Sequence, residues 1–426
     1  MPEPSIAIVG SGPAGCYLAQ ALRRIWPTTD LAVVERLPVP FGLLRYGVAP
    51  DHQGTKAIAR QFERSFERDG VALFAGVEVG RDIELDALRG IFDVVILATG
   101  LAGDRRLAIA GENRLGVYGA GCVTRWLNGH PDECAFAPVL GTDCVIIGNG
   151  NVALDLARIL AKSEAERVGT DLPDPAKLHS IDRVRDITVI GRGTPESAKF
   201  DSVLVKEMAR LVGVAFSVVA PPTAAGVSDA ARAKGAAVRA LGGQGRGADK
   251  RVTFRFSLVP HAFDGDDRVT AVVCRDSFGA EAKIPASSVI TAIGFEDHPA
   301  SSIRRDRHAA TVEQEGLFAT GWFRRGPTGT IPENRKDAHE VAQAIERFVA
   351  GMMPSGKSGV AGLRQMLRLR GIRAFDYQDW LIIRRHEEEA AVCGRLRRKV
   401  RNTAEAHAWM EAAGEGELRV AARSAV

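Results

Sequence analysis

The chain of 426 residues is poor in cysteine: six stand at positions 16, 122, 134, 144, 274 and 393, with no C-x-x-C pair. That spacing excludes a redox-active dithiol and leaves too few close ligands for an iron–sulfur or zinc cluster. No apolar run approaches 18 uninterrupted residues, so no membrane span is expected. Charge of neither sign dominates, since 56 Lys and Arg against 52 Asp and Glu leave a formal +4, which does not indicate nucleic acid. The first strand pattern begins at about residue 5, which leaves little room for a removable leader and makes a cytoplasmic chain the expectation.

Glycine, by contrast, is plentiful and placed. Ser5-Ile6-Ala7-Ile8-Val9 reads as a buried parallel strand, Gly10-Ser11-Gly12-Pro13-Ala14-Gly15 follows, and Cys16 to Arg24 continues as an amphipathic helix. In such a unit Gly10 permits the turn, Gly12 lets backbone approach a pyrophosphate, and Gly15 lets helix pack on strand. Leu31 to Val34 forms the next strand and ends in Glu35, twenty residues after Gly15, where a carboxylate accepts hydrogen bonds from a ribose diol.

The pattern recurs at Gly148-Asn149-Gly150-Asn151-Val152-Ala153, between the strand Cys144 to Ile147 and the helix Val152 to Leu160. Its following strand, Ile187 to Ile190, ends in Gly191-Arg192 with no acid at the tip. A guanidinium suits a 2′-phosphate that a carboxylate would repel, so the second site leans towards NADP. A chain that holds two dinucleotides and has no dithiol or cluster of its own should hand electrons to something separate.

Asp93 to Gly100 and Ser288 to Gly294 read as strands closing the two units, and Gly316 to Gly321 as a strand returning to the first. The fold class expected is α/β, with two Rossmann-like nucleotide-binding domains of glutathione-reductase-like organisation, the second inserted into the first. The boundaries expected are 1–101 for the first part of the first nucleotide-binding domain, 102–296 for the NADP-binding domain, and 297–426 for the second part of the first with a C-terminal helical extension. Residues 221–247 read as an Ala/Gly-rich surface insertion without chemistry of its own. Basic clusters at Arg23-Arg24, Arg324-Arg325, Arg232 to Arg251 and Arg395 to Arg401 are either solvated faces or surfaces that steer an acidic partner.

Taken in order, the first fingerprint, Pro38-Val-Pro-Phe-Gly42-Leu43-Leu-Arg45, Tyr46-Gly-Val-Ala-Pro-Asp51-His52, the second fingerprint, and Gly321-Trp322-Phe-Arg-Arg-Gly-Pro-Thr-Gly329-Thr330-Ile331 resemble the adrenodoxin reductase family of ferredoxin–NADP reductases. The likeness spans nearly the whole chain. It implies FAD contacts at Ala14, Glu35, Leu43, Val79, Trp322, Gly329, Thr330 and Ile331, beside the glycine turn and Gly42. NADP contacts would fall on Asn149, Gly150, Asn151, Val152 and Arg192, and His52, Glu207 and Asp155 would lie beside the reaction centre. Lys206 would face a ferredoxin-type iron–sulfur protein, and a cytochrome P450 or another oxygenase is a client such a partner serves. Thr328 to Thr330 should precede a helix beginning near Asn334, whose dipole could stabilise negative charge on a reduced flavin.

The chain departs from the family at two positions. Arg192 is followed by Gly193 where a second arginine is usual, and Leu204 stands where a glutamate is expected; one lost charge-assisted contact costs roughly 1.5–3 kcal/mol. A same-fold oxidase or monooxygenase acting on a small organic substrate is the alternative, and a non-catalytic nucleotide-holding subunit the second.

Overall fold

In this computed structural model, residues 3–245, 247–305, 316–353 and 356–424 are described, with side chains up to residue 413. Short β-branched runs pair side by side because both their faces are apolar and can be covered. Five of them form one parallel sheet in the order Leu317–Ala319, Val94–Leu97, Ile6–Val9, Leu31–Glu35, Ala72–Ala75. Ile6 and Ile8 face a core that also takes Leu18 and Leu22 of the helix Pro13–Ile25 and Val341 and Ile345 of the helix Ile331–Ala350. Ala7 and Val9 face the opposite core, closed by Leu88 of the helix Leu85–Ile91 and by Leu363 and Leu367 of the helix Gly359–Leu369.

A second parallel sheet runs Val117–Gly119, Ser288–Thr291, Asp143–Ile147, Asp186–Gly191, Lys250–Phe256, Val214–Val219. Along its strand Asp143–Ile147, Cys144 and Ile146 meet the helix Asn151–Ala161, whereas Val145 and Ile147 meet Phe263, Val272 and Ile284 of a three-stranded antiparallel sheet. Helices therefore cover one face and a second sheet the other. The chain crosses between the two parallel sheets twice, and the crossings pair with each other: Gly103–Asp104 lies antiparallel to Phe295–Glu296.

The strand Lys250–Phe256 has no counterpart in the sequence reading, which treats the stretch before it as a surface insertion. It forms because Val252, Phe254 and Phe256 alternate into the core between two neighbouring strands. Within the insertion, Asp229–Arg239 is helical and held down by Arg239, whose Nη1 lies 2.5 Å from the buried Glu196.

Candidate functional site

Gly10 has φ of +110°, and a Cβ there would strike the carbonyl oxygen of Ala98 at the end of the neighbouring strand. A Cβ on Gly15 would strike the carbonyl of Gly10, so these two glycines close strand, turn and helix onto one another. Gly12 is different, because a Cβ on it would meet nothing within 4 Å. The middle glycine thus borders open space at the start of the helix Pro13–Ile25, whose Pro13 costs no hydrogen bond in the first turn. Glu35 is buried beneath this turn: its Oε2 accepts from Ser11 N at 2.9 Å and Ser11 Oγ at 2.6 Å, and its Oε1 from Leu37 N at 2.9 Å. Oε1 keeps acceptor capacity for a ribose hydroxyl.

Ser11, absent from the sequence reading, also accepts at its Oγ from Phe41 N at 3.1 Å. Phe41 stands at φ of +85°, strained for a bulky residue, and holds the short helix Gly42–Tyr46 so that Gly42 abuts Gly12. Leu43 on that helix is exposed, while Val79 is buried beyond the strand Ala72–Ala75.

From the far end of the chain, Gly321 approaches so closely that a Cβ would strike Ala14. Asp337, a residue the sequence analysis does not single out, anchors this approach from the middle of a helix. Its Oδ2 accepts from Thr320 Oγ1 at 2.8 Å and Gly321 N at 2.5 Å, and its Oδ1 from Arg324 Nη2 at 2.6 Å. Trp322 stacks on Phe295 of the crossing ribbon, with centroids 5.3 Å apart at 28°. The helix expected near Asn334 begins earlier, at Ile331, because Thr330 and Glu333 form a reciprocal capping box. Gly329, at φ of +88°, makes the turn before it, and a Cβ there would crowd Glu333.

The second fingerprint repeats the first. Gly148 has φ of +136° and sits against the carbonyl of Ala292, and a Cβ on Gly150 would again meet open space. Each middle glycine thus leaves open space at the N-terminus of a helix, Pro13–Ile25 in the first unit and Asn151–Ala161 in the second. Asn149 packs over Gly191 with its Oδ1 buried and without a hydrogen-bond partner among the described residues. Asn151 Oδ1 accepts from Asp201 N at 2.8 Å, and Val152 lies in the first turn of the helix. Arg192 is exposed and makes no ion pair among the described residues. Leu204 is buried in the apolar core of the second sheet, so the residue standing for the expected glutamate serves packing and offers the site no surface.

Between the two units lies a charged cluster. His52 Nε2 is 2.9 Å from Glu207 Oε2, and His52 Nδ1 is 3.7 Å from Asp155 Oδ1. These three are expected from the sequence, but the residue that ties them is not: Arg158, three residues after Asp155 on the same helix face. Its Nη2 is 2.9 Å from Asp155 Oδ1 and 2.7 Å from His52 Nε2, its Nε is 3.4 Å from Glu207 Oε2, and it pairs with Asp51 through Nη1 and Nη2. Lys162 adds a second cation on Asp51 at 2.6 Å. Burial pushes the Asp155 carboxyl up, opposed in part by His52 and Arg158. Burial acts the same way on Asp51, but there Arg158 and Lys162 prevail and hold the carboxyl below its usual range.

Many side chains of the basic clusters are tied to partners within the chain, though several stay exposed. Arg324 and Arg325 turn onto Asp337, and Arg23 onto the carbonyls of Pro27 and Thr29. Arg251 pairs with Asp186, and Arg395 and Lys399 are buried. Lys206, on the helix Ser202–Met208 beside Glu207, is exposed. No helix among the described residues is long and apolar enough to cross a membrane, and no group of ligands there could hold a metal ion.

Residues 4–216 match the family described as pyridine nucleotide-disulphide oxidoreductase. The chain is 43% identical over 411 residues to cindoxin reductase of Citrobacter braakii, covering 93% of this chain and 89% of that one. It is 33% identical over 383 residues to NADPH-ferredoxin reductase FprA of Mycobacterium tuberculosis, covering 80% and 83%. Among solved structures, Mycobacterium tuberculosis FprA in complex with NADPH superposes with a TM-score of 0.85 at 30% identity, over 95% of this chain and 98% of the other. The two-domain nucleotide-binding architecture, the paired glycine cradles and these likenesses together make the chain a member of the adrenodoxin reductase-type family of ferredoxin–NADP reductases.

Proposed function

We propose that this oxidoreductase holds FAD at the first glycine cradle and NADP(H) at the second, and passes electrons from NADPH to a separate ferredoxin-type iron–sulfur protein. The observation that carries the reading is the pair of open hollows at Gly12 and Gly150, on one chain, with the His52–Glu207 cluster between their units. When bound, the flavin supplies the conversion from a two-electron donor to a one-electron acceptor.

The protein's part is position and field. Gly10, Gly12, Pro13, Ala14 and Gly15 would face the FAD diphosphate and Glu35 its ribose, while Gly42, Leu43, Val79 and Trp322 would border the rest of the molecule. Gly329, Thr330 and Ile331 would put a 20-residue helix's N-terminus towards the ring, where its dipole favours negative charge. Asn149, Gly150, Asn151 and Val152 would receive the second diphosphate, and Arg192 the 2′-phosphate. His52, Glu207 and Asp155 would order the space between the cofactors, with Arg158 holding all three. The units expected at 1–101 with 297–426, and at 102–296, would be two bodies joined at the ribbon of Asp104 and Phe295.

Lys206 would meet the acidic partner, and a cytochrome P450 or other oxygenase would draw on that partner in turn. Six unpaired thiols suit a reducing compartment such as the cytoplasm.

Anaerobic stopped-flow mixing with NADPH tests the proposal. Rapid flavin bleaching followed by fast reduction of a ferredoxin is expected, with Lys206→Glu slowing the second phase most at low salt and sparing ferricyanide reduction. Rapid turnover of an organic molecule while every protein acceptor is reduced slowly would overturn it, and a colourless protein would overturn it at once.

A further inference from the structure

The basic run from Arg395 to Arg401 is not among the residues placed at either cofactor site. After the helix Tyr377–Glu389 the chain crosses back towards the second parallel sheet's unit and bonds to it through its backbone. Gly169 N donates to Gly394 O at 2.9 Å, and Leu396 N donates to Thr170 O at 3.0 Å. The buried Arg395 side chain then donates to three acceptors of that unit: Glu164 Oε1 at 2.7 Å, Arg167 O at 3.2 Å and Pro173 O at 3.2 Å. This strap is a third connection between the units, separate in sequence from the two paired crossings. A two-stranded ribbon alone permits rotation about its own line, and an attachment elsewhere removes that freedom.

One carboxylate stands where strap, first unit and second unit meet. Asp171 receives Lys56 Nζ at 3.1 Å, Arg397 Nε at 3.0 Å and Lys399 Nζ at 3.4 Å. Lys56 belongs to the first unit, where it also donates to Arg45 O at 3.0 Å; Lys399 donates to the same carbonyl at 2.8 Å. The backbone of Asp171 reaches further, since its N–H donates to Pro50 O at 3.0 Å, and Asp51 and His52 follow Pro50 directly. The contact therefore ends on the loop that carries His52 into the cluster between the cofactor sites.

We infer that Asp171, gripped by Lys56, Arg397 and Lys399, is a positioning residue that seats the second unit on the His52 loop, and that the strap of residues 392–401 fixes the distance over which hydride passes. The inference rests on the electron path proposed above. A buried carboxylate among three cations is suited to this, because removing it leaves uncompensated charge that drives the strap off. A displacement on the order of 1 Å between reacting atoms is enough to slow transfer severely.

The test compares the flavin-loaded wild type with Asp171→Asn, Asp171→Glu and Arg395→Met. Asp171→Asn is expected to slow flavin reduction by NADPH about ten- to a hundredfold, with the NADPH dissociation constant and reduction by dithionite unchanged and most of the rate restored in Asp171→Glu. Arg395→Met, which detaches the strap far from the His52 loop, should slow the same step alone, and both variants should show a larger radius of gyration by small-angle scattering. Wild-type rates in folded, flavin-loaded variants overturn the inference, as does a loss shared equally by NADPH binding and flavin content. Scattering needs no reaction: unchanged dimensions in both variants count against the strap even if the wild type proves unreactive to NADPH, a result that would sink the proposed electron path instead.

Discussion

His52 Nε2 stands 2.9 Å from Glu207 Oε2, an approach between residues 155 positions apart that joins the two nucleotide units. The same nitrogen is 2.7 Å from Arg158 Nη2, so two neighbours of opposite charge compete for one ring atom. With its proton on Nε2 the imidazole donates to Glu207; with the proton on Nδ1 it accepts from Arg158. Glu207→Ala removes one competitor and leaves the ring to Arg158. We expect it to slow flavin reduction by NADPH about tenfold, the effect of a small misplacement of a reacting group. Stopped-flow absorbance at the flavin band measures this, and an unaltered rate would leave the cluster a purely structural contact.

The two kinds of fingerprint glycine should fail differently. A side chain at Gly12 enters open space, so Gly12→Val should give a folded, colourless protein that has lost its flavin. At Gly15 the added atoms meet the backbone of Gly10, so Gly15→Val should unfold the first unit whether or not cofactor is supplied. Circular dichroism beside a flavin absorbance ratio separates the two. Equal loss of fold in both variants would remove the argument that Gly12 borders a cradle.

Gly193→Arg should favour NADPH over NADH by roughly tenfold or more in kcat/KM, the return of one charge-assisted contact. The backbone allows it, since Gly193 is not in a left-handed conformation and an added Cβ meets only the side chain of the exposed Ser197, whose hydroxyl can rotate away by giving up its bond to Thr194 O. Steady-state efficiencies with both nucleotides decide the matter. If both rise equally, the 2′-phosphate does not lie beside Arg192.

Asp51 gives the contact between units a pH limit. Its carboxyl is buried, yet Arg158 and Lys162 hold it below the usual range, so folding favours the charged form. A group whose folded pKa is depressed contributes stability above its unfolded value, about 3.9, and loses it as pH falls through the folded value. The melting-temperature gap between wild type and Asp51→Asn should therefore be constant from pH 7 to about pH 5 and close below about pH 4. A gap that widens on acidification would contradict the assignment.

Local pattern carries both fingerprints. Each needs only a short apolar run, three small residues and a 3.6-residue period within some twenty positions, and each forms where those residues stand. The strand Lys250–Phe256 was harder to see because it follows a glycine-rich stretch and pairs with strands at 186–191 and 214–219. Asp337 and Arg158 were not legible as site residues. An acid or a base in mid-helix reads as a solvated face until its partners, sixteen or more than a hundred residues away, are known.

The chain's sequence by itself determined that two Rossmann-like units exist, that no C-x-x-C pair stands anywhere in the chain, and where the glycines fall that close each strand, turn and helix. These are matters of backbone freedom and side-chain chemistry, which a residue carries wherever it stands. Tertiary structure alone decided that Arg395 and Lys399 are buried against Glu164 and Asp171, while Arg401 of the same run stays exposed and pairs with Glu405. It also decided that Arg158 joins Asp51, His52, Asp155 and Glu207 in one cluster. A charge's partner is set by which distant segments the folded core brings within a few ångströms of it, and sequence spacing holds no record of that distance.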